Sequence, residues 1–160
     1  MNEVIRTEQL KSPSVLLATG FGAGCAPVAP GTVGTMVAIP FVYFTQMLGV
    51  EVFVAVTLVV CVLGIWVCGQ AADELGVHDH PGIVFDEIGG YFVTMLAAPP
   101  GWVWIVAGFV LFRVFDIFKP WPIAWLDKRL GGGLGIMLDD IVAGLFALVC
   151  LQLLIYYCAM

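Results

Sequence analysis

Between Glu51 and Gln70 the chain runs for eighteen residues without a charged side chain. A helix needs about 20 apolar residues to cross the ~30 Å hydrocarbon core of a bilayer, and residues 52–67 form a clean candidate for such a span. Three other apolar stretches accompany it. Residues 33–50 are interrupted by Pro40 and end at Gly49; residues 88–118 are split by Ala98-Pro99-Pro100-Gly101; residues 141–158 close the chain. Hydrophobic residues make up 61% of the 160 and charged residues only 11%, against roughly 45–50% and 25% in soluble domains. A soluble fold of this length cannot hide that much apolar surface. Disorder is excluded as well, since disordered chains are poor in apolar residues and rich in charge. The sequence therefore predicts an all-α, polytopic integral membrane helical bundle, with residues 1–160 as one domain. Twelve acidic against six basic residues, net −6, argue against nucleic acid as a partner.

The basic residues orient the spans. Arg6 and Lys11 precede the first apolar stretch, and Arg113, Lys119, Lys128 and Arg129 follow in the middle of the chain. The positive-inside rule places both groups on the cytoplasmic side. A single crossing by residues 88–118 would put the second group outside. A helical hairpin broken at Pro99-Pro100 keeps it inside, because proline lacks an N–H and ends a helix. The first arm of that hairpin, about 11 residues or ~16 Å, is too short to cross. On this topology residues 70–87, 113–129 and 139–140 meet at the cytoplasmic interface, and the C-terminus exits on the far side.

The termini and cysteines add little chemistry. Residues 1–12 are mixed and charged, without the basic, apolar and small-residue order of a signal peptide, so insertion is expected to rely on internal spans. The five cysteines (Cys25, Cys61, Cys68, Cys150, Cys158) include no C-x-x-C pair and lie in apolar surroundings. They read as small hydrophobes, with neither a disulfide framework nor a zinc site.

With so few charges, each one beside an apolar segment is informative. Seven of the 18 fall in three compact motifs: Phe85-Asp86-Glu87-Ile88-Gly89-Gly90, Arg113-Val114-Phe115-Asp116-Ile117-Phe118-Lys119-Pro120, and Met137-Leu138-Asp139-Asp140-Ile141. Acids that precede apolar helices favour the macrodipole and supply caps. Capping explains neither the adjacent pairs nor Asp116 inside an apolar run. Five carboxylates (Asp86, Glu87, Asp116, Asp139, Asp140) at a low-dielectric boundary repel one another unless something positive sits among them. Hard oxygen ligands without histidine or thiolate support suit Mg²⁺. Arg113 and Lys119 bracket Asp116 at −3 and +3, offsets near one helix face. They read either as snorkelling cations with an ion pair or as a phosphate clamp beside a metal ligand. Trp121 and Trp125 fit an interfacial belt.

The run from Gly20 to Thr35 is rich in small residues. It serves either close packing of membrane helices or a loop whose N–H groups, at Gly31 and beyond, hold a phosphate with the Thr32 and Thr35 hydroxyls at a helix start. His78 and His80, two apart before Pro81-Gly82, read as part of a polar turn, with Asp79 leading towards Asp86-Glu87.

Taken together, residues 22–40, the Asp86-Glu87 motif, Arg113-x-Phe115-Asp116-Ile117-x-Lys119-Pro120-Trp121-Pro122 and Gly135-Ile136-Met137-Leu138-Asp139-Asp140-x-x-Ala143-Gly144 resemble the phosphatidylglycerophosphatase A family, over residues 17–144 and in the same order. Thr35 stands where serine is expected, which keeps a hydroxyl. The resemblance implies a Mg²⁺-dependent, multi-pass lipid phosphatase of the bacterial inner membrane with its active site facing the cytoplasm. Such an enzyme converts phosphatidylglycerophosphate, held among membrane lipids, to phosphatidylglycerol and phosphate. On that expectation Asp86, Glu87, Asp139 and Asp140 hold one or two Mg²⁺. Arg113 and Lys119, with Gly31 and Thr32, take the phosphate. The catalytic carboxylates are Asp86, Asp116 and Asp140, with Asp116 either a further ligand or the group that attacks or activates water.

Two alternatives stand beside this one. Another phospholipid-headgroup enzyme is less well matched: the D-G-x-x-A-R…G-x-x-x-D-x-x-x-D run of CDP-alcohol phosphotransferases is absent, as are the blocks of metal-free membrane phosphatases. A small cation transporter predicts acids deep within spans.

Overall fold

The computed structural model describes residues 5, 7–77, 80–158 and 160, the side chains of residues 127 and 128 excepted. Among these the regular structure is helical throughout: α1 (Pro13–Ala18), α2 (Pro30–Gln46), α3 (Val50–Leu75), α4 (Phe85–Thr94), α5 (Trp102–Phe118), α6 (Ile123–Arg129) and α7 (Gly132–Cys158), with short 3₁₀ turns at Gln9–Lys11 and Ala23–Cys25. The all-α class follows from the sequence as expected. Two helices, α3 and α7, are long and apolar enough to cross a membrane; at 1.5 Å per residue each is about 40 Å long.

The helix bounds depart from the apolar runs in instructive ways. Pro40 does not interrupt α2, which continues through it to Gln46; the proline forfeits one backbone hydrogen bond without ending the helix. Helix α3 carries on past its apolar part through Asp73 and Glu74 to a left-handed glycine, Gly76, which closes it. The break around Pro99-Pro100 is present: α4 stops at Thr94, and α5 begins at Trp102 after Gly101.

The largest departure is at α7. It begins at Gly132, so Asp139 and Asp140 lie two turns inside the helix and do not precede it. Capping therefore has no part in their placement. The glycine-rich run 131–135 reads as a loop by propensity, but Gly133 packs where a Cβ would strike the Ile65 carbonyl of α3. Close approach of two backbones outweighs the propensity cost, as small residues permit between membrane helices.

Helix α7 is the centre of the bundle and packs on α3, α4, α5 and α6. Its crossing with α4 is also close: a Cβ on Gly144 would meet the Gly90 carbonyl, and Thr94 Oγ1 donates to the carbonyls of Gly90 (3.0 Å) and Gly144 (3.4 Å). Met137, fully buried, fills the space left by Gly64 of α3 and Gly89 of α4. Tyr91 Oη donates to the Ile105 carbonyl at 2.8 Å and fixes α4 against α5. Outside this core the helices present apolar side chains outward, among them Leu58, Val59, Val62, Val103, Val106 and Val149. A soluble monomer rarely exposes such a continuous apolar surface, and lipid is its natural solvent.

The two ends of the bundle differ. Gln46, Gly49, Pro99, Pro100 and Ile155 share a mostly apolar cavity at one end. The C-terminal ends of α3 and α5, the start of α4 and the short helices α1 and α6 gather at the other, where Ser14 Oγ donates to Glu74 Oε1 at 2.5 Å. Gly144→Ala should loosen the α4–α7 crossing, because its new neighbour is a backbone carbonyl that cannot turn aside. A loss of about 1–3 kcal/mol is expected, read as a lower thermal midpoint in detergent relative to the wild type.

Candidate functional site

At that second end a cleft of about 300 Å³ is lined by Gly31, Asp86, Glu87, Arg113, Asp116, Lys119, Asp139 and Asp140, with an apolar rim that includes Pro81, Ile83, Leu130 and Ile136. Four helices build it. Asp86 and Glu87 stand in the first turn of α4, Arg113 and Asp116 on the last two turns of α5, Asp139 and Asp140 within α7, and Gly31 at the start of α2. Residues more than a hundred positions apart in sequence thus meet in one cleft.

The carboxylates are buried: Asp86 is 9% exposed, Asp116 8%, Asp139 6% and Asp140 3%. Such burial is costly unless charges are paired or ligated. The chain divides them into two sets. Asp86, Glu87 and Asp140 each offer an oxygen within 4.8 Å of the others, a group able to hold a metal ion. Asp116 and Asp139 instead take the cations: Arg113 Nη1 lies 2.6 Å from Asp116 Oδ2 and 3.6 Å from Glu87 Oε1, and Lys119 Nζ lies 2.6 Å from Asp139 Oδ2. Asp139, expected beside Asp140 in one ligand set, falls outside the compact group. Consecutive helical residues point about 100° apart, so neighbours in sequence turn to different partners.

The donor set suits a hard divalent cation. Its ligand atoms are all carboxylate oxygens, and Glu87 Oε2 is buried without a hydrogen-bond partner. An orphaned acceptor of this kind costs free energy until something positive fills the place. Burial pushes the Asp86 carboxyl well above the usual range, helped by the nearby charges of Glu87 and Asp139. Burial likewise lifts Glu87, with Asp116 adding to it and Arg113 opposing, to about 7.

The remaining predicted residues are placed unevenly. Gly31 is pressed against the site: a Cβ there would collide with Glu87 Oε1 and come within 3.3 Å of Arg113 Nη1. Thr32, one position on, is not among the cleft-lining residues. Thr35, on the same helical face as Gly31, donates from Oγ1 to the Gly31 carbonyl at 2.9 Å and accepts from Arg113 Nη1 at 3.4 Å. Lys119 is not on the α5 face that carries Arg113 and Asp116. It follows the helix end in a left-handed conformation (φ 40°), and from there its long side chain returns to the cleft. His80 is buried and accepts from the Gly82 N–H through Nδ1 at 3.0 Å, as a turn residue would; His78 and Asp79 lie outside the described residues. The rim residues Pro81, Ile83, Leu130 and Ile136 carry no chemical signal in sequence and are found only through the cleft.

Buried carboxylates flanked by two cations, at one end of a bundle with two helices able to cross a bilayer, define an all-α, membrane-associated protein with an acidic, cation-lined centre. The sequence model of the family described as Phosphatidylglycerophosphatase A matches residues 16–155, and the chain belongs to that family. Its relatives include Phosphatidylglycerophosphatase A of Escherichia coli (strain K12), 46% identical over 140 residues that cover 87% of this chain and 81% of the relative. A second, of the same name, is from Haemophilus influenzae and is 40% identical over 158 residues, covering 98% and 97%. A third, from Bacteroides thetaiotaomicron, is 36% identical over 151 residues, covering 88% and 94%, and is named provisionally as a phosphatidylinositol-3-phosphatase. No solved structure matches the chain at a comparable level of significance.

The raised Glu87 value has a consequence for the metal-free protein. Folded Glu87 titrates near 7 and unfolded Glu87 near its ordinary 4.5, so between these values the folded state holds the extra proton and stability falls as pH rises. The thermal midpoint of chelator-treated protein should therefore decline from pH 5 to pH 8. Adding a divalent cation at pH 8 should restore it, since the cation replaces the proton as the partner of the carboxylate.

Proposed function

We propose that this chain is a Mg²⁺-dependent phosphatidylglycerophosphatase, which hydrolyses the terminal phosphate monoester of phosphatidylglycerophosphate to give phosphatidylglycerol and inorganic phosphate. The observation that carries this reading is the three-carboxylate group of Asp86, Glu87 and Asp140 sharing one cleft with Arg113 and Lys119, in a chain of that family. The substrate's acyl chains remain in the bilayer while its headgroup reaches the cleft at the membrane surface.

Asp86, Glu87 and Asp140 hold the cation in this proposal. Bound there, Mg²⁺ supplies charge neutralisation for the phosphoryl oxygens and a fixed position for the reacting group. The chain's own residues do the rest. Arg113 and Lys119 donate N–H groups to the phosphate oxygens and steady the charge that spreads over them in the transition state. The α2 start at Gly31 and Thr32 offers backbone N–H groups that have no partner within the helix. Asp116, which orients Arg113 at 2.6 Å, accepts the proton of the attacking water, and the glycerol oxygen, released as its bond to phosphorus breaks, takes up a proton from solvent to leave as the alcohol.

We further propose that the protein is a single multi-pass domain of the bacterial inner membrane with its site facing the cytoplasm. Three features support this: α3 and α7 satisfy the length and hydropathy of spans, α4 is too short to cross at about 15 Å, and Arg113 and Lys119 lie at one end of the bundle, as the positive-inside rule requires.

The test is phosphate release from phosphatidylglycerophosphate in mixed micelles, first with Mg²⁺ and then after chelation. Release that vanishes with the metal and returns on its addition is the expected result. Folded protein that releases no phosphate in either condition would sink the reading. Asp140→Asn, which removes a ligand charge, should lower kcat by at least about 100-fold.

A further inference from the structure

We infer that Asp139 is not a metal ligand but the positioning partner of Lys119, which it holds at the cleft for the substrate phosphate. The inference rests on the phosphatase reading above. It gives the five carboxylates two separate roles, three of them holding a metal and two holding the cations that meet the phosphate.

Geometry carries the division. The Asp139 carboxylate lies 2.6 Å from Lys119 Nζ and outside the group formed by Asp86, Glu87 and Asp140. It is 6% exposed, and a carboxylate so buried needs a charged partner; Lys119 is one. The arrangement repeats on the other side of the cleft, where Asp116 holds Arg113 at the same 2.6 Å. Each cation therefore has one carboxylate at 2.6 Å, and Arg113 also reaches Glu87 Oε1 of the compact group at the longer distance of 3.6 Å.

The backbone of Lys119 points the same way. With φ 40° and ψ 58° it takes the left-handed conformation directly after α5, closing the helix through its N–H to the Phe115 carbonyl at 2.9 Å. Glycine occupies such a place without strain, and a lysine there is uncommon. Strain of this kind persists where the side chain has a function to serve, and from this position the Lys119 side chain lines the cleft. An exposed lysine that merely capped the helix would need neither the strain nor a buried aspartate.

Two probes separate positioning from ligation: Mn²⁺ binding, read by electron paramagnetic resonance, and inhibition by inorganic phosphate. Asp139→Asn is expected to keep Mn²⁺ affinity within about threefold of wild type, while Asp140→Asn loses at least about tenfold. Asp139→Asn and Lys119→Met should each raise the inhibition constant of phosphate and the KM for phosphatidylglycerophosphate by about tenfold or more. The double variant should lose no more than Lys119→Met alone, since the two act as one unit. Loss of Mn²⁺ by Asp139→Asn as severe as that of Asp140→Asn would overturn the assignment, as would losses that multiply in the double variant. Should Asp139→Asn fail to fold, Lys119→Met decides the matter: retained Mn²⁺ with lost phosphate supports the assignment, and lost Mn²⁺ overturns it. A wild type that binds Mn²⁺ but releases no phosphate from the lipid would remove the phosphatase reading instead, and the Mn²⁺ comparison would still decide the role of Asp139.

Discussion

Negative charge brought together in a dry place is the constraint on which this molecule is organised. Five carboxylates border one small cleft at the end of an apolar bundle, where their mutual repulsion is screened far less than in water. Among the described residues, two basic side chains, Arg113 and Lys119, line the cleft with them. These cations pair most closely with Asp116 and Asp139, Arg113 reaching Glu87 only at 3.6 Å, and burial together with the neighbouring carboxylates raises Asp86 and Glu87. Protons relieve the repulsion in the metal-free state. In the proposed reading a divalent cation takes the place of those protons at neutral pH.

The packing of the bundle serves the same centre. Helix α7 reaches it by lying almost on the backbones of α3 and α4, through Gly133 against Ile65 and Gly144 against Gly90. Side chains larger than hydrogen there would push the helix, and Asp140 with it, away from the first turn of α4. Gly31 makes the corresponding approach from α2 towards Glu87. Glycines that look like interruptions in a helical sequence are thus what allows the acidic residues of separate helices to come within ligand distance. Tyr91, through its hydrogen bond to Ile105, sets α4 against α5 and so sets Glu87 against Arg113.

Much of this was legible in the residues. Apolar runs are bounded by charges and prolines, and the thickness of a bilayer fixes how long they must be, so α3, the break at 95–101 and the late apolar helix could be read directly. Asp86, Glu87, Asp116, Asp139 and Asp140 stand out because a carboxylate amid bulky apolar residues is expensive and needs a reason. Of the two threonines read beside Gly31, Thr35 lies one helical turn beyond it, on the same face, and meets Arg113, whereas Thr32 turns about 100° away. Lys119 was expected on a helix face and instead follows the helix end.

What the sequence determined by itself was the solvent, the helical class and the inventory of charges, since each depends on composition and on spacing along the chain. The tertiary structure alone decided which carboxylate faces which cation. Asp139 and Asp140 are chemically identical neighbours, and nothing local tells them apart. The rotation of α7 about its axis, fixed by Met137 in the space beside Gly64 and Gly89 and by the Gly144–Gly90 contact, turns one towards Asp86 and Glu87 and the other towards Lys119. That rotation is set by packing across the whole bundle, and packing across a bundle is not written in any one segment of the chain.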